Sequence, residues 1–390
     1  MQRRKFIRNT LATTAAAALA RSVSAQAKPP VRIGVDIYSL QNQNFTPFQS
    51  LDYCHDLGVK VVHFSEIRFL GSPDRKVALD PDNLKKVKDY AANLNIDVEI
   101  GMRSICPTST MFVAADGTPE EQLGGMITAA KIIGSPIVRC VMGSASERSG
   151  AEPLEGHIAD TVKVLKNVRS QAMDNGIKVA IENHAGDMQA RELKTLIEGA
   201  GPDFVGVCID SGNPMWTMES PHLTLETLHP YVLTSHVRDT YTWMTPYGIA
   251  SRWCRTGEGN IGIDEYIKKY IEYCPGRAIS AEVIVQAAPR MFAVHDPKFW
   301  APYKHQPAWE YQQFLELAQK GAVPPGQENA GAPGAGRGAG RGGSGRGAGA
   351  GGGGGRGQEN PEAQAQRNAV QREDLEVSIK YTQALVAKLS

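Results

Sequence analysis

The chain has 390 residues, of which 42% are hydrophobic, so it is long enough for one large domain with a deep core. Its 42 basic and 41 acidic residues nearly balance, which argues against a nucleic-acid-binding surface over the whole body. The six cysteines form no CxxC pair and no zinc-ribbon spacing. We expect Cys140 and Cys208, which fall in predicted strands, to be small buried hydrophobic residues.

Residues 1–27 have the pattern of an export signal. A basic start, RRKFIRN, precedes an alanine-rich apolar stretch and a segment of small residues. The paired arginines followed by Phe-Ile resemble a twin-arginine signal, which implies passage of the folded protein through the twin-arginine translocation machinery to the periplasm or the cell exterior. A generic secretory signal is the alternative. The apolar stretch is too short to span a bilayer, so we expect no membrane span in the mature protein.

From residue 31 onward, eight short apolar runs alternate with amphipathic helical patterns. The runs are VRIGVDIY, KVVHFSEI, DVEIGM, IVRCVM, KVAIEN, VGVCID, VLTSHV and ISAEVIV. Helix ends can be recognised between them: Thr46-Pro47 begins the first helix, TPEE at residues 118–121 is a capping box, and Asn175-Gly176 ends the fourth helix. The pattern predicts an α/β fold, a (β/α)₈ TIM barrel forming a single domain over residues 28–325, rather than a doubly wound sheet.

The composition changes abruptly after the barrel. Residues 326–360 are mostly Gly, Ala and Arg, and this predicts a disordered insertion. The apolar spacing within residues 361–390 predicts the eighth helix, which closes the barrel, so the insertion interrupts the last strand–helix connection. The arginines of the tract resemble an RGG-type segment, but no Phe or Tyr lies between them for stacking. We therefore interpret the tract as a solvated linker and expect no nucleic-acid partner.

Four polar side chains lie at or near the ends of different predicted strands. They are Glu182 in KVAIENH, Asp210 in VGVCIDSGN, His236 in VLTSHVRD and Glu282 in ISAEVIV. The first three are spaced by 28 and 26 residues, about one strand–helix unit each. Because barrel strands end at one mouth, we expect the four side chains to converge. Two glutamates, one aspartate and one histidine suit one divalent metal ion, among Mn, Mg, Co and Zn.

Taken together, the motifs IENH, CIDSGNP, SHVRD and SAEV resemble the xylose isomerase-like TIM barrel superfamily, particularly its sugar phosphate isomerases and epimerases that use one divalent metal. The Gly257-Glu258-Gly259 motif before the seventh helix belongs to the same pattern. The resemblance covers about residues 31–315 and the last helix. It is specific for the fold and the metal site, and much less so for the substrate.

The resemblance implies that Glu182 and Glu282 are both metal ligands and the acid–base pair. In such enzymes they remove and return a proton next to the carbonyl of a keto-sugar, through a metal-stabilised enediolate. Many relatives carry Asp-x-x-His on the sixth strand, whereas here Asp210 is followed by Asn213. Asparagine cannot act as a base and is a poor metal ligand, so neither a second metal nor the three-zinc chemistry of the superfamily's apurinic endonucleases is expected.

Further side chains near the predicted mouth are candidates for substrate binding, with ordinary packing or ion pairing as the alternative for each. They are His184, Glu66, Arg139, Asn213, Trp216, Arg252, Trp253 and Glu258. Asp239 either orients His236 as a hydrogen-bond acceptor or caps the following segment. Residues 240–262 are expected to form a long loop that covers the substrate.

The sequence thus predicts an exported enzyme, a divalent-metal-dependent isomerase or epimerase whose substrate is a small keto-sugar. One alternative is a 3-keto-glycoside lyase, since the same enolate can expel a leaving group by β-elimination. Another is a non-catalytic carbohydrate-binding barrel that retains the metal ligands. The sequence leaves open which sugar is used and whether the chain forms a homo-oligomer.

Overall fold

The structure is a computed structural model that describes residues 29–285, 288–332 and 360–389. Its strands, in chain order, are β1 (Ile33–Asp36), β2 (Val61–Phe64), β3 (Asp97–Ser104), β4 (Ile137–Val141), β5 (Lys178–Glu182), β6 (Val205–Asp210), β7 (Val232–His236), β8 (Asp239–Thr245), β9 (Gly248–Cys254), β10 (Ile279–Ala281) and β11 (Arg290–Phe292).

Strands β1 to β7 and β10 form one parallel sheet in the order β10-β1-β2-β3-β4-β5-β6-β7. A parallel bridge between Val237 and Ala281 brings the two ends of this sheet together. The strands are short and almost wholly buried, as expected for barrel staves covered by helices on the outside and packed side chains within. The predicted (β/α)₈ barrel is confirmed.

The helices cover the outside of the barrel and its mouth. They are α1 (Pro47–Asp56), α2 (Arg75–Ala78), α3 (Pro81–Asn93), α4 (Pro119–Ile133), α5 (Ala145–Ser149), α6 (Leu154–Asn175), α7 (Ala190–Ala200), α8 (Pro221–Leu228), α9 (Ile263–Tyr273), α10 (Ala308–Lys320) and α11 (Pro361–Leu389). Eight of them, α1, α3, α4, α6, α7, α8, α9 and α11, follow the eight barrel strands in turn. None of the helices in the described ranges is long and apolar enough to cross a membrane.

The helix ends follow the local sequence signals. Thr46 and Gln49 form a capping box at the start of α1, with Pro47 at the first helical position. Thr118 and Glu121 form a second box at the start of α4. Helix α6 ends where Gly176 adopts a left-handed conformation with a φ of 68°. These short-range contacts depend on neighbouring residues only, which is why the sequence predicts them correctly.

The last helix occupies the eighth position of the ring. In α11, Leu375 and Ile379 are buried in the core. Gln383 donates a hydrogen bond to the carbonyl of Leu57, just after α1, and the Tyr381 hydroxyl donates to Asp264 in α9. Helix α11 therefore lies between the first and seventh helices of the ring, as predicted for a closing helix.

Residues 239–254 form strands rather than the long loop expected over residues 240–262. Strands β8 and β9 form an antiparallel hairpin, and β11 pairs with β9 through Arg290 and Ser251 to complete a three-stranded sheet. The alternation in DTYTWMT and GIASRWC, interrupted at Pro246-Tyr247, is the signal for this hairpin. Strand β10 also ends at Ala281, four residues before the end of the predicted run ISAEVIV, so Glu282 follows the strand end.

The six cysteines are all buried and free, as expected for Cys140 and Cys208. The predicted export signal lies outside the described residues, as does most of the predicted insertion, residues 333–359. Both remain predictions.

Candidate metal centre

Glu182, Asp210, His236 and Glu282 converge at the C-terminal mouth of the barrel. One potential ligand atom from each residue lies within 4.8 Å of the others, and all four side chains are buried. The register of the sheet produces this cluster, because Asp210 at the end of β6 lies directly opposite His236 at the end of β7. Glu182 ends β5 and Glu282 follows β10.

The donor set suits a divalent cation. Asp210 Oδ2, His236 Nδ1 and Glu282 Oε2 are buried and have no hydrogen-bond partner in the described part of the chain. Two of these atoms, Asp210 Oδ2 and Glu282 Oε2, form ion pairs with Arg238, the first at 2.6 Å. Three buried carboxylates are costly to gather unless positive charge offsets them, and hard oxygen donors with one imidazole are ligands that small divalent cations accept.

The backbone at the end of β6 directs one oxygen of Asp210 towards the centre. The amides of Gly212 and Asn213 each donate to Asp210 Oδ1 at 2.7 Å, which leaves Oδ2 facing the cluster. Asn183 fixes the same residue from β5, because its side chain accepts from the Asp210 amide and donates to the Asp210 carbonyl. The carboxylate is therefore oriented before any ligand binds.

His236 also has a fixed orientation. Its Nδ1 lies 3.0 Å from Glu182 Oε2 and 3.3 Å from Glu282 Oε2. Its Nε2 lies 2.9 Å from His63 Nδ1 and 3.4 Å from Asp36 Oδ2. Nδ1 is thus the nitrogen that faces the cluster, and Asp36 and His63 hold the opposite side of the ring, the arrangement found behind metal-bound histidines.

The predicted orienting role of Asp239 is corrected by the structure. Asp239 makes no hydrogen bond to His236; it accepts from the amides of Thr240, Gly257 and Gly259. Three residues after the strand end, its side chain has turned away from the cluster and towards the segment that precedes α9. It holds that turn closed.

Glu182 remains ionised despite its burial. Arg139 forms an ion pair with Glu182 Oε2, its Nε at 2.5 Å, and Asn213 Nδ2 donates to Oε1 at 3.2 Å. Burial alone would raise the pKa of Glu182, but Arg139 and His236 hold it well below its usual range. Burial raises the pKa of Asp210 to about 6. The predicted candidates Arg139 and Asn213 therefore both contact a quartet residue directly.

His184 presents a neutral imidazole near the cluster. Its Nδ1 lies 2.7 Å from the carbonyl of Gly143, and since a carbonyl only accepts, Nδ1 carries the proton and Nε2 the lone pair. Burial lowers the pKa of His184 to about 4, so the ring is uncharged at neutral pH. The Asp187 carboxylate fixes the turn by accepting from the His184 and Gly143 amides.

Two tryptophans and two arginines form a stack across the mouth. Trp216 and Trp253 lie with ring centroids 4.3 Å apart and planes 6° from parallel. The Arg238 guanidinium lies 4.3 Å from the Trp253 ring, and that of Arg290 lies 4.8 Å from the Trp216 ring. The two predicted tryptophans are thus connected to the quartet through Arg238.

The structure does not bring three other candidates to the cluster. Glu66 pairs with Arg68, two residues further along the chain. Arg252 precedes Trp253 on β9 and so projects from the opposite face, where it lies 6.0 Å from the Trp243 ring. Glu258 is exposed, while its two glycine neighbours provide the amides that bind Asp239.

Several residues of the site were not predicted, and Asp36, Arg238 and Arg290 show why. Asp36 ends β1 as Glu182, Asp210 and His236 end their strands, so its position at a strand end was an available signal. Arg238 follows His236 by two in SHVRD, the same-face spacing of an extended chain. Arg290 carries no sequence signal, because only the pairing of β11 with β9 brings it to the mouth.

The chain belongs to a known family, since the profile described as Xylose isomerase-like TIM barrel matches residues 51–290, more than half of its length. Two curated proteins are similar over 162 residues. One is the uncharacterized protein YihM of Escherichia coli, 25% identical over 38% of this chain and 49% of the relative. The other is the 3-oxo-isoapionate decarboxylase of Pectobacterium atrosepticum, 22% identical over 42% of this chain and 51% of the decarboxylase. The chain spans about half the length of these relatives.

Solved structures share the fold. The D-psicose 3-epimerase of Clostridium cellulolyticum H10, solved with D-tagatose, has a TM-score of 0.52 at 11% identity, over 74% of this chain and 98% of the epimerase. A putative sugar phosphate isomerase/epimerase of Anabaena variabilis has a TM-score of 0.50 at 14% identity, over 92% of this chain and 99% of the Anabaena protein. At these identities, the similarity shows the fold alone.

Proposed function

We propose that the protein is a divalent-metal-dependent isomerase or epimerase that moves a proton next to the carbonyl of a keto-sugar. The observation that carries the proposal is the position of two glutamates from different strands beside one imidazole nitrogen. Glu182 Oε2 and Glu282 Oε2 lie 3.0 and 3.3 Å from His236 Nδ1. Two carboxylates beside one cation position are the groups needed to remove a proton and to return it.

The side chains around the quartet support this chemistry. Arg139 keeps Glu182 ionised, and an ionised carboxylate is able to accept a proton. Arg238 contacts Glu282 and Asp210 and adds a hydrogen-bond donor beside the position of the substrate oxygens. His184, neutral with its Nε2 lone pair, is able to accept a hydrogen bond from a sugar hydroxyl.

A cation bound by Glu182, Asp210, His236 and Glu282 would polarise the substrate carbonyl and stabilise the negative charge that develops when the neighbouring proton leaves. Enzymes named as a sugar epimerase and a putative sugar phosphate isomerase/epimerase share the fold, which fits this class of reaction. Export by the twin-arginine route is part of the proposal and rests on the pattern of residues 1–27.

A lyase is the second candidate, and the similarity to a decarboxylase named for a 3-oxo acid favours it. Loss of carbon dioxide from a 3-keto acid places the same negative charge on the carbonyl oxygen as loss of a proton. In a 3-keto-glycoside, the enolate formed by loss of the proton next to the carbonyl expels the leaving group from the adjacent carbon, which restores the neutral carbonyl. The quartet is suited to each of these steps. Product analysis separates them, because released carbon dioxide or a released aglycone identifies a lyase.

The first test is metal content, measured by elemental analysis of residues 28–390 for wild type and for Glu182→Gln and Asp210→Asn. We expect about one equivalent in the wild type and less in both variants, because each removes one charged ligand. Asp203→Asn, which changes an exposed carboxylate, is the matched control and should retain the metal.

The metal-loaded protein is then incubated with keto-sugars in deuterated water. Deuterium incorporation next to the carbonyl, absent after chelation and in Glu182→Gln, supports the isomerase or epimerase. A wild-type protein that binds no metal after incubation with Mn, Co or Zn would contradict the proposal and leave a carbohydrate-binding barrel as the better interpretation.

A further inference from the structure

We infer that the site takes an anionic keto-sugar, one that carries a carboxylate or a phosphate, and that Arg290 binds this anionic group. The inference deepens the proposed function and rests on it, since the carbonyl end of the same molecule would lie at the quartet. It begins from the partners of the arginines that lie at or near the mouth.

Three of these arginines have an anionic partner, and Arg290 has none among the described residues. Arg139 pairs with Glu182, Arg148 with Glu192, and Arg238 with Asp210. The guanidinium of Arg290 instead lies between aromatic rings, 4.8 Å from the centroid of Trp216 and 5.5 Å from that of Phe292. Aromatic faces compensate a partly buried cation only in part.

Arg290 also packs against the turn that follows β5. A Cβ placed on Gly186 would lie only 3.0 Å from Arg290 Nη1 and 3.3 Å from Nη2, so the guanidinium packs directly against this backbone. Gly186 follows Glu182 by four residues and His184 by two. The unpaired cation therefore lies on the His184 side of the mouth, where the free end of a substrate bound at the quartet would extend.

The tryptophan stack also carries hydrogen-bond donors that are not satisfied. The indole nitrogens of Trp216 and Trp253 and Nε of Arg238 are buried without an acceptor among the described residues. Tyr303, the ionisable neighbour that most affects Arg290, is a neutral phenol whose pKa burial raises further. Burial lowers the pKa of Arg290, as expected for a guanidinium without a bound anion. A ligand rich in oxygen and negatively charged would satisfy these groups together.

Guanidinium groups bind carboxylates and phosphates through two parallel hydrogen bonds. A hydroxymethyl group has a single oxygen and cannot form this pair, so a guanidinium favours the two anions over it. The substrate class that fits is therefore a sugar acid or sugar phosphate with a keto group at the other end. A neutral ketose would leave Arg290 without a partner.

The test uses three probes that share one keto-sugar skeleton and differ only at carbon 6: D-fructose, D-fructuronate and D-fructose 6-phosphate. Binding to the Mn²⁺-loaded protein, residues 28–390, is measured by isothermal titration calorimetry for wild type, Arg290→Gln and Arg290→Lys. Arg169→Gln, which removes an exposed arginine paired with Asp203, is the matched control. Metal content and thermal unfolding establish that each variant is folded and loaded.

We expect the wild type to bind at least one of the two acids about tenfold or more tightly than D-fructose, since a charge-assisted pair is worth at least that factor. Arg290→Gln should lose this preference, because its affinity for the preferred acid should fall much more than its affinity for D-fructose. Arg290→Lys should retain part of the preference, and Arg169→Gln should retain all of it. The preferred acid tells whether the group is a carboxylate or a phosphate. If Arg290→Gln does not fold, the partial loss in Arg290→Lys is the decisive measurement.

Equal binding of the three probes by the wild type, no binding of either acid, or a preference that survives in Arg290→Gln would overturn the inference. Failure of the proposed function gives a different result. If the acids bind through Arg290 but no deuterium enters next to the carbonyl, the anion site stands and the proton-transfer reaction does not. If exchange proceeds equally with D-fructose and with the acids, the reaction stands and the anion site does not.

Discussion

Asp36 and His63 show how residues outside the quartet determine its geometry. Both lie on the inner side of the barrel at neighbouring strand ends, paired in register between β1 and β2. The Ser65 hydroxyl and the Tyr38 amide donate to Asp36 Oδ1, which leaves Oδ2 free to face His236 Nε2 at 3.4 Å. The imidazole is therefore presented with its other nitrogen towards the cation position.

At the residue scale we expect Asp36→Asn to weaken metal binding by about 10- to 100-fold, because it removes the negative charge behind the His236 ring. Asp239→Asn is the informative control. It should lower stability, since an amide nitrogen would then face the backbone amides of Gly257 and Gly259, but should leave metal affinity unchanged. Competition with a fluorescent chelator measures both affinities. The reverse order of effects would restore Asp239 as the residue that orients His236.

The segment between β9 and α9 has a structural role that its sequence motif did not reveal. In Gly257-Glu258-Gly259 the two glycines, rather than the glutamate, make the contacts that matter, because their amides bind Asp239. Gly257 has a φ of 94°, which other residues rarely adopt. A Cβ on Gly259 would lie only 1.9 Å from Asp239 Oδ1. The turn joins the hairpin to the barrel wall, and its close approach requires glycine.

At the element scale, Gly259→Ala should destabilise the protein by roughly 2 to 4 kcal/mol, because the new methyl group would displace the buried Asp239 carboxylate. The same substitution at Gly199, an exposed position within α7, meets only ordinary contacts with Val162 and should stabilise by about 0.5 to 1 kcal/mol. Urea denaturation measures both changes in the free energy of unfolding. A neutral effect at Gly259 would mean that the turn is not a close-packed element.

Burial of carboxylates over the whole molecule connects its stability to pH. Glu219 is fully buried between α7 and α8, where it accepts hydrogen bonds from the Ala190 amide and the Thr224 hydroxyl. Burial raises the pKa of Glu219 to about 7, and the neighbouring Glu310 and Glu192 contribute in the same direction. The folded protein thus holds a proton that the unfolded chain releases near pH 4.5.

At the scale of the whole molecule, the raised pKa of Glu219 makes the protein less stable as the pH rises. Because the folded state binds more protons between pH 4.5 and about 7, the contribution of Glu219 to stability falls as pH rises through this window. In Glu219→Gln, the decrease in the free energy of unfolding over this pH window should be smaller by roughly 1 to 3 kcal/mol. Glu316→Gln, which changes an exposed side chain on α10, should leave the decrease as in the wild type. Urea denaturation at pH 5, 6, 7 and 8 in the presence of a chelator measures the slope. An unchanged slope in Glu219→Gln would show that Glu219 ionises freely.

Much of the fold and the quartet was determined by the sequence itself. Short apolar runs, capping boxes and the spacing of Glu182, Asp210 and His236 are local features, and in a parallel barrel local order along the chain becomes order around the mouth. Side chains at the C-terminal ends of parallel barrel strands meet at one mouth, so the sequence predicts which carboxylates and imidazole converge without any knowledge of long-range contacts. The sequence also predicts α11 as the eighth helix, because its apolar face must be buried against the barrel.

Only the tertiary structure decided which side chains face the cluster and what neutralises them. Arg252 and Trp253 are adjacent in sequence, yet the hairpin turns one away and stacks the other on Trp216. The pairing of β11 with β9 brings Arg290 to the mouth, from a segment more than 100 residues after Glu182. Such contacts depend on register and burial between distant segments, and a single-residue change in pairing would direct each of these side chains to the opposite face.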